Sequence, residues 1–499
     1  MKRFGETVGH RRTSAAVTDD ELPGLATGLL AEGFRVALVA CHDDGDHLRA
    51  VYLFTAPEPD RRVELSVTVP RTRPHVPSLA GMSFPAGRFE REMHDLFGIV
   101  PDGHPQPSRL VRHFHWPRGW HPMLSDAGDP PAFGDVDGPY PFRPVEGPGV
   151  YEIPVGPVHA GLIEPGHFRF SVVGETILNL KARLWFVHKG IEKLFAGRRP
   201  EAAIELAERI SGDTAVGHTL AFCHAVEDAL RLPVATDALR IRAVLLELER
   251  IYNHVADLGA LCNDVGYGVL NAHAQRIREQ LLRMNASVTG HRLLRGAVRP
   301  GTAEVKRMPD AAELAGIGTD IDEIAGLALA NSVVHDRFAG TAVLTRRQAA
   351  DLGTLGYVAR ASGVDTDARR DHPWLDLGPA FAVRTQTDGD VLARFQVRAA
   401  EIRTSIQLIA ELLEGDAPEA GRSETPPGPG SGVGLVEGWR GTIAHRIEIA
   451  PDGTLSRVKI VDPSFFNWPA LPLALADTIV PDFPLTNKSF NLSYAGNDL

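Results

Sequence analysis

The sequence predicts an α+β protein in which a small N-terminal α/β domain precedes a mainly helical bundle with flanking β-strands. Short runs of alternating apolar and polar residues, typical of strands, occupy the first part of the chain. Several long segments with apolar residues at helical spacing follow, and two strand-like segments around a Pro-Asp-Gly turn lie near the C-terminus. Together these observations favour two to three domains over one.

Composition narrows the class of protein. The chain has 499 residues, of which 43% are hydrophobic and 23% are charged, as expected for a folded protein with a large core. Its 52 basic and 63 acidic side chains give a formal net charge of −11. This acidic balance argues against nucleic acid as a partner, because nucleic-acid-binding proteins usually carry a basic face or tail.

No apolar stretch approaches the roughly 20 residues that a membrane-spanning helix needs. The N-terminal segment is positively charged but lacks the apolar core of a secretory signal, so we expect a cytoplasmic protein that can still dock on a membrane protein. The three cysteines, Cys41, Cys223 and Cys262, form no CxxC pair. Their spacing argues against a disulfide framework, a zinc ribbon and an iron–sulfur site held by this chain alone.

The first predicted domain covers residues 1–123. ELPGLATGLLAEGF has the pattern of a helix, and strands are predicted in FRVALVACHD, HLRAVYLFTA and RVELSVTVP. Residues 124–149 are dense in proline, glycine and aspartate, so they are predicted to be a linker.

The second predicted domain covers residues 150–499. From Glu175 to about Leu413 the pattern is mostly helical and predicts a bundle, beginning with a helix in ETILNLKARLWFVHKGIEKLF. Further helices are predicted in PEAAIELAERI, DALRIRAVLLELERIYNHVADLGALC and NAHAQRIREQLLRMNASVTGHRLL. Residues 416–432 form a second Pro/Gly-rich break, and two strands are predicted after it.

Motifs of several enzyme classes are missing from the sequence. There is no GxxxxGK[ST] phosphate loop, no HExxH zinc motif and no GxSxG nucleophile elbow, so a serine hydrolase is disfavoured. The glycine-rich stretch 430–434 lies in the Pro-rich break and is interpreted as linker, because it lacks the strand and helix that flank a dinucleotide-binding turn. We therefore expect this chain not to bind NAD by itself.

Two segments combine ionisable side chains with glycine. VGPVHAGLIEPGHFR, residues 155–169, carries four candidate site residues: His159, Glu164, His167 and Arg169. Binding groups often lie on such loops, but a structured turn whose histidines satisfy buried backbone groups explains the segment equally well. The second segment, RISGDTAVGH at residues 209–218, interrupts two helices.

A third region, from Glu90 to Met123, is rich in aromatic residues, histidine and arginine and is interpreted as an interface in preference to a catalytic site.

These motifs, taken in order, resemble one family. EREMHDLFGIVPDGHPQPSRL…GWHPM resembles the C-type subunit of respiratory complex I. VGPVHAGLIEPGHFRFSVVGETILNLKARLWFVHKGIEKL resembles the start of the D-type subunit and of the large subunit of membrane-bound [NiFe] hydrogenases, and LLELERIYNHVADLGALCNDVG continues the pattern. The resemblance spans about Glu90 to Leu499 and includes formate hydrogenlyase and hydrogenase-4 large subunits, which also fuse C-like and D-like parts. It implies a [NiFe] hydrogenase large-subunit-like fold.

The chain departs from this family at the metal site. A [NiFe] site needs four thiolates in two CxxC pairs, because its metals prefer soft sulfur ligands. The positions that match the four cysteines are occupied by Ser211, Thr214, Ser464 and Asn467. Hydroxyl and amide oxygens are hard, weak ligands, so we predict no metal on this chain and no hydrogenase activity.

The resemblance to the D-type subunit of complex I also suggests a quinone site. In that family member, one tyrosine and one histidine from a β-hairpin loop hold the quinone headgroup. The tyrosine position matches Gly212, so that donor is absent, whereas His159 or His167 can supply the histidine. Asp213, paired with Arg209, His159, His167 or His218, is a candidate for proton transfer, although a salt bridge that fills the old metal cavity explains it equally well. Glu164, Arg169 and His218 are candidate acceptor-binding residues.

Two hypotheses follow from the resemblance. In the first, the chain is a peripheral-arm subunit on the cytoplasmic side of a membrane-bound, complex I-like or hydrogenase-related oxidoreductase. An iron–sulfur subunit and membrane ion-translocating subunits are its partners, electrons reach an acceptor (quinone by default) in the residual cavity, and any NADH is oxidised on another subunit. No cofactor resides on this chain.

In the second hypothesis the chain is a non-catalytic coupling subunit whose cavity is closed. An open polar channel lined by His159, His167, Arg209 and Asp213 would favour the first hypothesis. A plug of bulky side chains would favour the second, and the sequence SFFNWPALPLAL leans towards it: Phe465, Phe466 and Trp468. The C-terminal segment beyond it is predicted to be a structured tail that packs on the protein.

Overall fold

The structure is a computed structural model, which describes residues 6–57, 59–134, 136–159, 163–379, 381–414 and 428–499. Most of the predicted break at 416–432 therefore lies outside the described residues. None of the described helices is both long and apolar enough to cross a bilayer.

The N-terminal region contains a five-stranded sheet of order β1-β2-β5-β4-β3. Among the described strands of this sheet, β2 and β5 are the one pair that runs in parallel. The predicted helix and three strands of this region are confirmed. The elements are β1 (Glu6–Gly9), β2 (Arg12–Val17), α1 (Leu22–Ala31), β3 (Arg35–Asp43), β4 (His47–Ala56), β5 (Arg61–Pro70), β6 (His75–Pro77), α2 (Phe84–Phe97) and β7 (Val100–Asp102). The described residues between 124 and 149 form no helix or strand.

A three-stranded antiparallel sheet follows, made of β8 (Val150–Val155), β9 (His167–Val173) and β10 (Thr176–Arg183). The helix predicted from Glu175 is therefore wrong over β10, and a helix forms only at α3 (Ile191–Phe195). A β-bulge between Ile177 and Asn179 explains the error. The extra residue buries both Ile177 and Leu180, three positions apart, and so imitates helical spacing.

The remaining helices form the predicted bundle, in which α5, α6 and α13 are mostly buried. The elements are α4 (Ile204–Ala207), α5 (Ala215–Leu230), α6 (Thr236–Asp264), α7 (Gly268–Thr289), β11 (Val298–Arg299), β12 (Thr302–Ala303), α8 (Ala311–Ala330), α9 (Ser332–Phe338), α10 (Arg346–Leu352), α11 (Gly356–Ala361), α12 (Ala368–Asp371) and α13 (Val391–Leu412).

The C-terminal region adds an antiparallel sheet of β13 (Gly430–Gly438), β14 (Gly441–Ile449) and β15 (Leu455–Val461). The last two are the strands predicted around the Pro-Asp-Gly turn. Reading 430–434 as linker is wrong, because this stretch begins β13 and packs on α5. A Cβ atom at Gly434 would lie 2.0 Å from the Ala221 carbonyl oxygen, so only glycine lets the strand approach the helix this closely.

Four short helices complete the chain: α14 (Pro463–Asn467), α15 (Ala470–Ala474), α16 (Phe483–Phe490) and α17 (Tyr494–Asp498). The N-terminal region packs directly on this part, since the rings of Phe89 and Phe465 stack with centroids 4.5 Å apart. The predicted packing of the C-terminal tail is confirmed. Its last residue, Leu499, accepts backbone hydrogen bonds from Lys189 (2.7 Å) and Gly190 (3.1 Å) through its carbonyl oxygen.

Asp498 makes the stability of this tail dependent on pH. Its side chain is buried, and burial raises its pKa to about 6 despite hydrogen bonds from Asn497 and Val187. Because the folded state binds this proton more tightly, its stabilising effect is complete below pH 4 and is lost as pH rises towards 6. We expect Asp498→Asn to remove this loss, so that the variant gains about 1–3 kcal/mol over the parent between pH 4 and 7. Denaturant unfolding of the parent and of Asp498→Asn at several pH values between 4 and 7 measures the difference in their free energies of unfolding. A difference that does not change with pH would contradict the raised pKa of Asp498.

Candidate functional site

Two of the four positions that match the hydrogenase cysteines, Ser211 and Ser464, meet at Ser493, just before α17. Ser211 lies in the loop before α5, and its Oγ atom is 2.8 Å from that of Ser493. The Ser493 backbone N–H in turn donates to the Ser464 hydroxyl at 2.9 Å. One residue of the C-terminal tail thus connects the two segments.

The side chains at the other two positions, Thr214 and Asn467, also form hydrogen bonds within the chain. The Thr214 hydroxyl donates to Asp213 (3.0 Å) and accepts from the Trp439 indole N–H (3.1 Å). The Asn467 amide both accepts from and donates to the Leu355 backbone, at 2.8 and 3.1 Å. Protein groups therefore already use the oxygen atoms that a metal would need. The four side chains do not fit a [NiFe] cluster, and no cluster of His, Cys, Asp or Glu suited to a metal occurs among the described residues.

A polar cavity of about 510 Å³ lies beside Ser211, which is the one of the four positions that lines it. This volume falls in the range of about 300–1,000 Å³ typical of small-molecule sites. The polar residues of its wall include Glu164, Ser211, Asp213, Arg440, Asn491 and Tyr494.

Asp213 and Arg440 form an ion pair in the cavity wall. Both guanidinium Nη atoms donate to the Asp213 carboxylate at 2.7 Å, and Arg440 is buried over the Trp439 ring. Burial alone would raise the pKa of Asp213, but the charge and hydrogen bonds of Arg440 lower it overall. The expected pairing with Arg209 is wrong. Arg209 is exposed and pairs with Glu205 one helical turn earlier, because its side chain leaves the helix surface towards solvent.

The two histidines of the β8–β9 loop do not line the cavity. His159 Nε2 is 2.8 Å from the Gly166 carbonyl oxygen, and His167 Nδ1 is 3.2 Å from that of Gly156. The alternative interpretation, a turn whose histidines satisfy backbone groups, therefore describes them. Of the candidates on this loop, Glu164 does reach the cavity, where it accepts a hydrogen bond from the Ala495 backbone at 3.2 Å.

Arg169 and His218 also lie away from the cavity. Arg169 pairs with Glu152 at 3.5 Å on the surface of the small sheet. His218 is fully buried between Asp462 (3.0 Å) and His445 (3.1 Å), where α5 crosses the C-terminal sheet. The pairing of β9 and the packing of α5 fix the positions of Arg169 and His218. The spacing of residues in the sequence does not contain these contacts.

Tyr494 is the residue of the cavity wall that the sequence interpretation missed. It stands on α17, its ring packs edge-on against Trp468 at 4.8 Å, and Gly166 leaves room for it. Its hydroxyl is buried and makes no well-formed hydrogen bond within the described part of the chain, although the Asn487 side chain lies near it. Burial raises the pKa of Tyr494 to about 12, so the phenol stays neutral. The sequence offered no signal beyond a tail predicted to pack.

The three bulky residues of the proposed plug are buried beside the cavity, and none is among the described residues that line it. Phe465 stacks on Phe89, Phe466 meets the same ring edge-on at 5.9 Å, and Trp468 supports Tyr494. Ser464 and Asn467 are themselves fully buried, and neither of them lines the cavity.

Comparison with known proteins identifies the family. Residues 15–129 match the family described as respiratory-chain NADH dehydrogenase, 30 Kd subunit, and residues 264–426 match its 49 Kd subunit family. Residues 189–262 match the nickel-dependent hydrogenase family. The chain is 31% identical over 421 residues to hydrogenase-4 component G of Escherichia coli. The matched region covers 82% of this chain and 73% of that protein. It belongs to the fused C/D-type subunits of the complex I and membrane-bound hydrogenase family.

Other members of this family extend the match. The chain is 31% identical to the carbon monoxide-induced hydrogenase of Rhodospirillum rubrum, over 68% of this chain and 97% of that protein. It is 28% identical to the fused C/D subunit of the NADH-quinone oxidoreductase of Phocaeicola vulgatus, over 82% and 83%. In structure it is similar to a chain of an archaeal membrane-bound sulfane sulfur reductase, with a TM-score of 0.64 over 70% of this chain and 99% of that one. At 23% identity the last comparison supports the fold alone.

Proposed function

We propose that this protein forms part of the peripheral arm of a membrane-bound, complex I-like oxidoreductase and receives electrons from an iron–sulfur cluster on a partner subunit. The electrons pass to an acceptor in the cavity at Asp213, Arg440 and Tyr494, with quinone as the expected acceptor, and the transfer is coupled to ion translocation in the membrane subunits. The arm lies on the cytoplasmic side. The observation that carries the proposal is the polar cavity lined by Ser211, one of the four substituted cysteine positions, and by the Asp213–Arg440 pair.

The chemistry of the cavity wall supports an oxygen-containing acceptor. The neutral Tyr494 phenol can donate a hydrogen bond to a carbonyl oxygen, in place of the tyrosine that Gly212 replaces. The buried guanidinium of Arg440 stabilises negative charge that develops on the acceptor during reduction. Asp213 is held ionised by Arg440, so its role in the proposal is to hold the guanidinium in place at the cavity.

The substituted cysteine positions support an activity other than hydrogen chemistry. Each of the four side chains is already hydrogen-bonded within the protein, and their hard oxygen donors do not suit nickel and low-spin iron. We therefore propose that the chain is not an active [NiFe] hydrogenase.

An aromatic surface patch suggests a docking position for a neighbouring protein of the complex. Phe114, Phe133 and Phe186 are each between 38% and 48% exposed. His113 and His115 connect these rings, with centroids 4.6 Å from Phe186 and 5.1 Å from Phe133. We assign this patch, which overlaps the segment predicted to be an interface, to a contact between subunits in the assembled complex.

The coupling hypothesis is also supported by a specific observation. Two of the substituted cysteine positions, Ser464 and Asn467, are fully buried and do not line the cavity. A chain of this kind transmits conformational change without binding an acceptor. Acceptor binding in the adjacent cavity is the property that separates the two hypotheses.

We expect Tyr494→Phe to weaken acceptor binding. Loss of one hydrogen bond of about 1–1.5 kcal/mol corresponds to a roughly 5- to 10-fold higher quinone concentration at half-maximal rate. The measurement is stopped-flow oxidation of the dithionite-reduced, intact complex by a short-chain quinone, followed through the iron–sulfur absorbance. Tyr151→Phe, which removes a half-exposed hydroxyl bonded to the Gly174 carbonyl oxygen, is the matched control and should change nothing.

Elemental analysis of the same complex completes the test. One nickel atom per chain would restore the hydrogenase hypothesis. Iron without nickel, together with quinone-dependent oxidation that Tyr494→Phe weakens, is the expected result. Absence of oxidation by any quinone would favour the coupling hypothesis.

A further inference from the structure

A closed group of ionisable side chains lies in the bundle core, apart from the cavity wall. Its members come from α6, α11, α13 and β13 and from the segment that contains α12. We call it the core charge cluster, and it consists of Glu247, Arg250, His254, Arg360, Asp367, Arg369, Glu401 and Glu437. None of these side chains is more than 4% exposed.

Direct ion pairs connect all members of the cluster. Arg360 reaches three carboxylates: Glu401 and Glu437, both at 2.7 Å, and Asp367 at 3.4 Å. Arg369 joins Asp367 (2.7 Å) to Glu247 (3.0 Å). Arg250 joins Glu247 (3.1 Å) to Glu401 (3.6 Å). No ion pair within 4 Å leads out of the cluster among the described residues.

The charges of the cluster do not balance. Three guanidinium groups face four carboxyl groups, so full ionisation with a neutral histidine would leave one uncompensated negative charge in the core. An unpaired buried charge costs several kcal/mol, and a buried group usually takes up a proton to avoid it. One proton on His254 or on a carboxyl group removes this excess charge from the cluster.

His254 is poorly placed to carry this proton. Its Nε2 atom lies 2.9 Å from Glu401, and its Nδ1 atom is buried without a hydrogen-bond partner in the described structure. In the neutral ring Nε2–H donates to Glu401 and Nδ1 needs no acceptor, whereas the charged ring would leave a buried N–H group unpaired. Burial also lowers the pKa of His254, with smaller contributions from Arg398 and Arg250.

Glu437 is the carboxyl group of the cluster with the fewest guanidinium groups within 4 Å. Within 4 Å it meets one guanidinium, that of Arg360, while Glu247, Asp367 and Glu401 each meet two. Its second oxygen, Oε2, lies 2.8 Å from the Thr442 hydroxyl, which can rotate to accept a proton, and accepts from the Ala368 backbone N–H.

The charged groups farther from Glu437 act in both directions. Burial raises its pKa most, Asp367 raises it further, and Arg360 and Arg250 lower it, with a raised value as the result. Arg35 and Asp371 also lie within electrostatic range on the side of β3 and α12.

We propose that the core charge cluster is a proton-binding site in which one proton resides on Glu437 at neutral pH and is donated to the Thr442 hydroxyl. The site lies close to the cavity along the chain, because Glu437 and Arg440 stand three residues apart at the β13–β14 turn.

Infrared spectroscopy of the full chain tests the assignment. A protonated carboxyl group has a carbonyl band distinct from that of carboxylates, and we expect Glu437→Gln to remove one carboxyl equivalent of it at pH 7. Glu401→Gln leaves three guanidinium groups facing three carboxyl groups, so it should release the proton and remove the band as well. Glu279→Ala, which removes an exposed carboxylate outside the cluster, should leave the band in place. Thr442→Val should shift the band to higher frequency, because the proton loses its acceptor. A band that neither Glu437→Gln nor Thr442→Val alters would overturn the proposal, as would a charged His254 ring in nitrogen NMR spectra.

Thermal unfolding of the same two amide variants provides a second readout. Each glutamine loses one acceptor of a buried N–H group, so the difference between the variants isolates the effect of charge. We expect Glu437→Gln to keep a midpoint close to that of the parent and Glu401→Gln to unfold several degrees lower. A Glu437→Gln chain that unfolds as early as Glu401→Gln, or that alone fails to fold, would contradict the proposal.

Discussion

Replacement of Arg360 by methionine is expected to destabilise the protein by about 3–5 kcal/mol, the usual cost of removing one partner from a buried ion pair. Arg360 is fully buried and is the member of the core charge cluster with the most carboxylate partners. Its Nη1 atom also donates to the Thr366 carbonyl oxygen at 2.9 Å. Without it, two guanidinium groups face four carboxyl groups.

Denaturant unfolding at several pH values measures this effect. The excess negative charge of Arg360→Met raises the pKa of the remaining carboxyl groups, so the deficit in stability should shrink as pH falls from 8 towards 5.5. Arg283→Met is the matched control, since Arg283 forms an exposed pair with Glu279 within α7 and its loss should not be measurable. A deficit that stays constant with pH would show that lost packing, and not charge, is responsible.

Replacement of Trp468 by alanine is expected to lower the free energy of unfolding by about 3–5 kcal/mol. Trp468 is 2% exposed and packs between Phe168 and Tyr494, and its indole N–H donates to the Ser493 carbonyl oxygen at 3.3 Å. The substitution leaves a void next to the acceptor cavity and removes the support of the Tyr494 ring.

Two readouts separate the structural and functional parts of this effect. Unfolding measurements give the loss of stability, and quinone titration of the intact complex gives the change in acceptor affinity. Trp468→Phe keeps a ring against Tyr494, so we expect it to lose stability but retain most of the affinity. If Trp468→Ala bound quinone as tightly as the parent, Tyr494 could not be the donor that we propose.

The sequence pattern predicts the helices and strands correctly where local periodicity and topology agree. The strands of the N-terminal sheet, the long helices α6 and α7 and the β14–β15 pair follow the expected periodicities. It failed at β10, where a bulge imitates helical spacing, and at β13, where glycines serve close packing on a helix instead of a flexible linker. Both errors come from contacts with elements distant in sequence, which a single-sequence pattern does not contain.

The sequence by itself determined the family, the substitution of all four cysteine ligands and the presence of Asp213 beside them. Only the tertiary structure decided which side chains share the cavity. It replaced Arg209 and the loop histidines with Arg440 and Tyr494, because a strand turn and the C-terminal helix bring residues more than 200 positions away against Asp213 and Ser211. The core charge cluster has the same origin. Each of its residues alone suggests a surface ion pair, and their charge imbalance exists only because folding buries them together, where a net charge is costly.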